Sequence, residues 1–230
     1  MTRSVRLALL VAMAVVAGWG GALAFSWLHP EPLAAAPGFP PPDSAAPVEA
    51  PRAGVQASPG IPERLPDFSL ADLAGTSTPV TRWQGHPLML NFWATWCAPC
   101  RREIPLLQSL HRERAASGLT VIGIAVDFPD KVLKFRDEMR IGYPLLAGEQ
   151  DALDLIAKLG VASPAFPFTV FTDRQGRIVT LYLGELNRPV AAAILATVED
   201  VNRDRLELAA ARTRIADEVR ALRANLQSVE

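Results

Sequence analysis

The chain has 230 residues, 50% of them hydrophobic, and carries a formal net charge of −1 with only two cysteines. This length and composition can bury the core of one or two ordinary domains. The near-neutral charge argues against nucleic acid and anionic membrane surfaces as partners. A zinc site needs about four ligands, whereas the histidines are scattered along the sequence. We therefore expect neither a metal site nor another cofactor.

The N-terminal segment is long and apolar enough to enter a membrane. Residues 7–28 contain no charged side chain and follow Arg3 and Arg6, and a spanning helix needs about 20 residues. The positive flank precedes the segment, so the N-terminus should stay in the cytoplasm and the rest of the chain should lie outside it. A signal peptide cleaved near residues 22–24 is the alternative. We expect residues 1–28 to anchor the chain in the inner membrane by a single pass, with the rest in the periplasm.

The next segment has the composition of a linker. Residues 29–62 contain ten of the 20 prolines of the chain and few large apolar side chains. Such a segment cannot bury enough surface to fold, which predicts an extended tether between the membrane and a domain.

Residues 63–201 have the alternating pattern of an α/β domain. Apolar runs rich in β-branched residues predict strands over 87–95 and 118–127 that are buried on both faces. Helices are predicted over 99–117, 130–140, 151–160 and 188–201, and a hairpin over 168–186 with its turn at 173–176. This order predicts an α/β sandwich with a central sheet.

Residues 202–230 form a predicted helical extension of this domain. One helix could pack back on the domain or remain exposed, and a coiled-coil dimer is the alternative. Arg205 and Arg212 interrupt the second seam of such a coiled coil, which argues against it. The first seam has an apolar residue every seven positions, at Ile194, Val201, Leu208, Ile215 and Leu222.

The two cysteines, Cys97 and Cys100, enclose only two residues at the end of a predicted strand and the start of a predicted helix. A disulfide across so short a loop stabilises little, so we predict a working redox pair. The positive end of the helix lowers the pKa of the Cys97 thiol and makes it the attacking thiolate. Pro99 fits the first helical turn. Cys100, one turn later, should be more buried and should resolve the mixed disulfide.

Two other functions remain open for this motif. A copper(I) chaperone also places C-x-x-C between strand and helix, but Pro99 and the large Trp96 fit that class poorly. Thiol peroxidases of the same fold carry T-x-x-C, whereas Thr95 stands two positions before Cys97.

The stretch FWATWCAPC, residues 92–100, resembles the active site of the thioredoxin superfamily. From about residue 65 to 201 the chain resembles the membrane-anchored TlpA/ResA-like thiol-disulfide oxidoreductases, with Pro105 at the position where that family kinks its helix. The resemblance implies a three-layer sandwich with a central mixed sheet and activity on protein disulfides or thiols. Residues 160–178 match the segment in which a cis-proline precedes a strand and a hairpin.

The resemblance also implies where the substrate binds. Pro167 matches the cis-proline that lies against the cysteine pair, with Pro164 as the second candidate. Phe166 and Trp96 then line the substrate site. Phe168 follows Pro167 where many relatives have threonine, and it either extends this apolar rim or belongs to the core.

One departure concerns proton transfer. Cytoplasmic thioredoxins have a buried aspartate six residues before the first cysteine, and this chain has Asn91 there. Glu103 lies one turn after Cys100 on the same helix face and matches a glutamate of the exported branch. A raised pKa would allow it to move the Cys100 proton. The alternative is a surface glutamate paired with an arginine.

The direction of electron flow is predicted from the residues between the cysteines and from location. Ala98 and Pro99 resemble the pair found in reducing members of the superfamily. Anchoring on the outer face suits a protein that receives electrons from a transmembrane donor. The resemblance then implies a reductase of selected protein disulfides, in cytochrome c maturation or copper-oxidase assembly.

Overall fold

The computed structural model of the chain describes residues 54–55 and 61–227. The predicted anchor, residues 1–28, and most of the predicted linker, residues 29–62, lie outside these described residues. No helix within the described ranges has the length and apolar character needed to cross a membrane.

The centre of the described structure is a mixed sheet of eight strands. Their spatial order is β1-β8-β7-β4-β5-β6-β2-β3. Strands β4, β5 and β6 run parallel, and the other neighbours pair antiparallel. The strands are β1 (Gly54–Val55), β2 (Ser69–Asp72), β3 (Ser77–Pro79), β4 (Leu88–Trp93), β5 (Thr120–Ala125), β6 (Leu145–Ala147), β7 (Phe168–Thr172) and β8 (Ile178–Leu183).

Helices cover both faces of the sheet, because alternate residues of the central strand point to opposite sides. Met89 and Trp93 of β4 belong to one hydrophobic cluster, with α1, α2, α4 and α5, whereas Leu90 and Phe92 belong to another, with α3. This is the three-layer arrangement with a central mixed sheet that the resemblance implies. The helices are α1 (Ala98–Arg114), α2 (Pro129–Met139), α3 (Gln150–Lys158), α4 (Arg188–Asn202) and α5 (Leu208–Gln227).

The predicted hairpin is present, with β7 and β8 joined by a tight turn. The buried Asp173 carboxylate accepts hydrogen bonds from the backbone N–H groups of Gln175 and Arg177, both at 2.9 Å. Gly176 has φ +75°, a left-handed conformation that glycine adopts without strain. The turn sets the register of β8, which leads the chain to Leu186 beside the cysteine helix.

The C-terminal helix packs back on the domain, as one of the two interpretations of residues 202–230 expects, and its buried side chains belong to the core of the same chain. The seven-residue repeat is divided between α4 and α5, and Asp204 has φ +54° in the break between them. Ile215, a residue of the predicted seam, is completely buried in the cluster that contains Trp93. Arg212 donates a hydrogen bond to the Ile178 carbonyl at 2.6 Å. The hydrophobic core therefore extends beyond the boundary predicted at residue 201.

A second correction concerns the predicted linker. Gly54 and Val55 form β1, which pairs antiparallel with Leu183 and Tyr182 of β8. The sheet of the domain therefore includes two residues of the segment predicted as an extended tether, residues 29–62. An unpaired edge of β8 offers free N–H and C=O groups, and a two-residue segment is sufficient to pair with its end.

Candidate active site

The cysteine pair lies where β4 ends and α1 begins. Cys97 and Cys100 form a disulfide bond. Cys97 is the N-cap residue of α1, and the Cys100 N–H donates a hydrogen bond to Cys97 Sγ at 3.3 Å. Cys97 is 5% exposed and Cys100 0%. The order of exposure agrees with the expectation that Cys97 meets the substrate and Cys100 lies beneath it.

The surroundings of Cys97 favour a thiolate once the disulfide is reduced. The Cys100 N–H already points at Cys97 Sγ, and the positive end of the α1 dipole lies at this N-cap. The first turn of α1 contains no acidic side chain, and Arg101 and Arg102 follow Cys100 directly. These features stabilise negative charge on a sulfur atom at this position.

Glu103 is a buried carboxyl group rather than a surface residue. Its side chain is 1% exposed, and its two oxygens have different partners. Asn91 Nδ2 donates to Oε1 at 2.8 Å, and the Leu186 N–H donates to Oε2 at 2.8 Å. Asn91 Nδ2 also donates to Thr169 Oγ1 at 3.1 Å. The alternative of a surface glutamate paired with an arginine is therefore wrong.

The environment of Glu103 suits it to proton transfer near neutral pH. Burial raises the pKa of its carboxyl group to about 7, while the hydrogen bonds from Leu186 and Asn91 lower it and the Glu185 carboxylate raises it. A group with this pKa exists in both protonation states near pH 7 and can accept or donate a proton there.

The nearby Tyr143 cannot take over this task. Burial raises the pKa of its phenol, and the charge of Glu103 raises it further. The hydroxyl group therefore keeps its proton across the physiological pH range.

An apolar rim adjoins the disulfide. Trp96 is 68% exposed, and its ring meets that of the half-buried Phe166 edge-on, with 6.0 Å between centroids. Phe168 is fully buried and stacks on Phe92 at 4.4 Å. Phe168 thus belongs to the core, and Trp96 and Phe166 form the rim. The Phe166–Pro167 peptide bond is cis, which confirms Pro167 rather than Pro164 as the cis-proline.

Asp127 is a residue of this region that the sequence analysis missed. Its buried carboxylate accepts hydrogen bonds from the Thr95 N–H at 3.1 Å, the Thr95 hydroxyl, and the Phe128 N–H at 2.9 Å. It thereby ties the loop before Cys97 to the loop after β5. A charged residue at the end of a predicted buried strand was the available signal, but the parallel pairing with β4 was needed to interpret it.

The described part of the chain contains no group of three or more histidine, cysteine, aspartate or glutamate side chains that could hold a metal ion. The arrangement brings together two sulfur atoms that are joined in a disulfide and a buried carboxyl group on the same helix.

Comparison with known proteins agrees with this chemistry. Residues 61–182 match the AhpC/TSA family. The chain is 31% identical over 124 residues to the thiol-disulfide oxidoreductase ResA of Geobacillus thermodenitrificans, covering 54% of this chain and 69% of that protein. It is 32% identical over 130 residues to the thioredoxin-like protein YneN of Bacillus subtilis, covering 55% and 73%.

A solved structure shows the same fold. A DsbF homologue from Corynebacterium diphtheriae superimposes with a TM-score of 0.52 at 27% identity, over 64% of this chain and 97% of that one. The fold, the C-x-x-C pair and these matches lead to one assignment. The chain belongs to the AhpC/TSA family and is a thiol-disulfide oxidoreductase of the ResA type.

Proposed function

We propose that the protein is an exported, membrane-tethered reductase of specific protein disulfides. The observation that carries this proposal is the buried Glu103 carboxyl group one helical turn beyond Cys100, beneath a disulfide whose outer sulfur belongs to Cys97. This arrangement provides an attacking sulfur, a resolving sulfur and a proton acceptor along one face of α1.

In the proposed reaction the reduced Cys97 thiolate attacks one sulfur of the client disulfide. The client S–S bond breaks, and the departing client sulfur takes a proton. Cys100 then transfers its proton to Glu103, and its sulfur attacks Cys97 Sγ. The bond between Cys97 and the client breaks, and the second client sulfur leaves and takes a proton. Two electrons have moved from the cysteine pair to the client.

The apolar rim of Trp96 and Phe166, with Pro167, is the proposed substrate-binding surface. Trp96 is largely exposed beside Cys97, and its edge contact with Phe166 holds both rings at the disulfide. A client segment with an apolar side chain next to its cysteine would cover this surface.

The division of roles between the cysteines predicts which variant accumulates an intermediate. Reduced Cys100→Ser protein should form a stable mixed disulfide with a peptide containing an oxidised C-x-x-C-H sequence, because the resolving sulfur is absent. The Cys97→Ser variant should form almost none, since Cys100 is fully buried. Mass spectrometry under non-reducing conditions measures both. A stronger mixed disulfide in Cys97→Ser than in Cys100→Ser would reverse the assignment.

Glu103→Gln should change the pH dependence of resolution. In the wild type, release of the client from the mixed disulfide should quicken up to pH about 7, the pKa of Glu103, and then level off. In the variant it should keep rising toward the ordinary thiol pKa of about 8.5. At pH 7 we expect release to be about 100-fold slower, the lower end of general-base effects. Quenched-flow measurement of the released peptide tests this.

A control and a stability measurement accompany that prediction. Glu185→Gln removes a nearby carboxylate that is paired with Arg102 at the surface; because Glu185 is the smallest contributor to the raised pKa of Glu103, the profile should keep its shape and move only slightly toward lower pH. The raised pKa of Glu103 means that the folded state holds its proton more tightly than the unfolded state. Wild-type stability should therefore fall from about pH 4.3 to pH 7, by about 3 kcal/mol relative to Glu103→Gln. Identical pH profiles for both proteins would exclude the proposed role.

The direction of electron flow depends on the relative stability of the disulfide and dithiol forms. Ala98 and Pro99 between the cysteines support a reductase, and the Glu103 carboxylate disfavours a second negative charge on Cys100 nearby. We therefore expect a reduction potential near or below that of thioredoxin, about −270 mV. Equilibration of the chain with glutathione and then thioredoxin measures it. A potential near −120 mV, that of a strong oxidant, would mean that the protein oxidises its clients.

The proposed location rests on the apolar run at residues 7–28 and the two arginines before it. An anchor of this kind would hold the domain beside a transmembrane electron donor, and the clients would be cysteine pairs in cytochrome c maturation or copper-oxidase assembly. Residues 29–53, if extended, would reach up to about 80 Å from the membrane.

Carbonate extraction and protease protection test the anchor. The full-length chain should stay in the membrane fraction after extraction, and protease added outside spheroplasts should remove the domain. A soluble chain shortened near residue 24 would instead identify a cleaved signal peptide.

A further inference from the structure

Phe128 is a second exposed aromatic residue at the disulfide end of the sheet. It is 46% exposed, three residues after the end of β5 and at the N-cap of α2. Exposed apolar side chains that lie together mark interaction sites, and Trp96 is 68% exposed at the same end of the sheet. Because neither the fold nor the proposed proton transfer uses Phe128, its exposure calls for a partner.

The position of Phe128 is fixed relative to Cys97 by Asp127. Strands β4 and β5 are parallel, with Trp93 opposite Ala125, so the segments that follow the two strands leave the sheet at the same end. The Asp127 carboxylate then joins Thr95 to Phe128. The loop that carries Phe128 is therefore held against the loop that carries Trp96 and Cys97.

A lysine lies against the Phe128 ring, and a second cation lies against another ring of α2. The Lys131 ammonium lies 4.6 Å from the Phe128 ring centroid, and the Arg101 guanidinium lies 5.5 Å from the ring of Phe135 on the same helix. Neither cation forms a salt bridge with a residue that the structure describes. Asp130, exposed at the start of α2, is the acidic exception. Because Lys131 forms no salt bridge with a described residue, its charge favours an acidic group on the partner that covers the Phe128 ring.

We propose that Phe128 and Lys131 form a client-docking surface that accepts an apolar side chain next to the attacked cysteine and an acidic residue beyond it. This inference rests on the proposed reductase function. Thiol-disulfide exchange requires the client sulfur to bond to Cys97 Sγ, so the client chain must cover the surface next to Cys97. Phe128, on the neighbouring loop, then adds a second apolar contact for the client beside the Trp96–Phe166 rim. Lys131 favours clients that carry an acidic residue at the matching position.

The experiment compares two disulfide-containing peptides with the reduced full-length protein. One peptide has leucine next to the attacked cysteine and glutamate beyond it, and the other has serine and lysine at these positions. Wild type should reduce the first with a kcat/KM about tenfold higher. Phe128→Ser should remove most of that preference through KM, while the rate with the small substrate hydroxyethyl disulfide stays unchanged.

The chain offers a matched control and a charge test. Leu153 is 37% exposed on α3, which packs on the opposite face of the sheet, so Leu153→Ser should leave both peptides unaffected. Lys131→Glu should slow the acidic peptide and accelerate the basic one, a reversal that general damage to the fold does not produce.

The failures of the two proposals are distinguishable. If wild type reduces hydroxyethyl disulfide but neither peptide, the proposed function as a protein-disulfide reductase fails. If it reduces both peptides equally and Phe128→Ser changes nothing, or slows all substrates alike, the docking surface is refuted while the reductase stands. A wild-type dimer in sedimentation that Phe128→Ser converts to monomer would assign the surface to a second copy of the chain and would also refute client docking.

Discussion

Six consecutive residues of β4 pair in parallel with six of β5, from Leu88 opposite Thr120 to Trp93 opposite Ala125. Parallel strands end on the same side of a sheet, so this pairing brings the loop before Cys97 next to the loop that begins at Asp127. The first loop continues directly into α1, and Cys97 is the N-cap residue of that helix. The positions of the cysteine pair, of Glu103 on α1 and of the exposed aromatic residues all depend on this register. A shift of one residue would move each side chain of β4 from its hydrophobic cluster to the cluster on the opposite face of the sheet.

Asn91 and Glu103 are best understood together. A buried carboxyl group is costly unless it is neutral or hydrogen-bonded, and an aspartate at position 91 would have placed a second carboxyl group beside Glu103. Like charges in one pocket raise the pKa of at least one group strongly, and an ionised aspartate could not donate the hydrogen bond that Asn91 gives to Oε1. The Asn91 amide thus provides a hydrogen-bond donor to the buried Glu103 carboxyl group without adding a second carboxyl group to the pocket.

The sequence indicated most of this domain because its signals are local. Buried strands of six residues, the helix that begins at the cysteine pair and the turn at Asp173 each depend on a few neighbouring side chains. Strand β6 has three residues and β1 has two, too short for any periodicity. The burial of Glu103 depends on the chain after β8 reaching Leu186, and the placement of Phe128 depends on a strand pairing. Such long-range features are set by tertiary contacts, which a single sequence does not display.

The two corrections to the predicted domain limits meet at the β8 edge of the sheet. Gly54 lies opposite Leu183 of β8, which lies opposite Phe168 of β7, the residue after Pro167. The chain therefore enters the described domain at the end of the sheet that carries the active site, and α5 packs against the same β1–β8 edge. Strands are about 4.8 Å apart, so this entry point lies only two strand spacings from Phe168. If residues before Gly54 are the tether to a membrane, the disulfide lies at the end of the domain from which that tether departs. A reductase that must alternate between a donor in the membrane and clients beside it needs its sulfurs at that end.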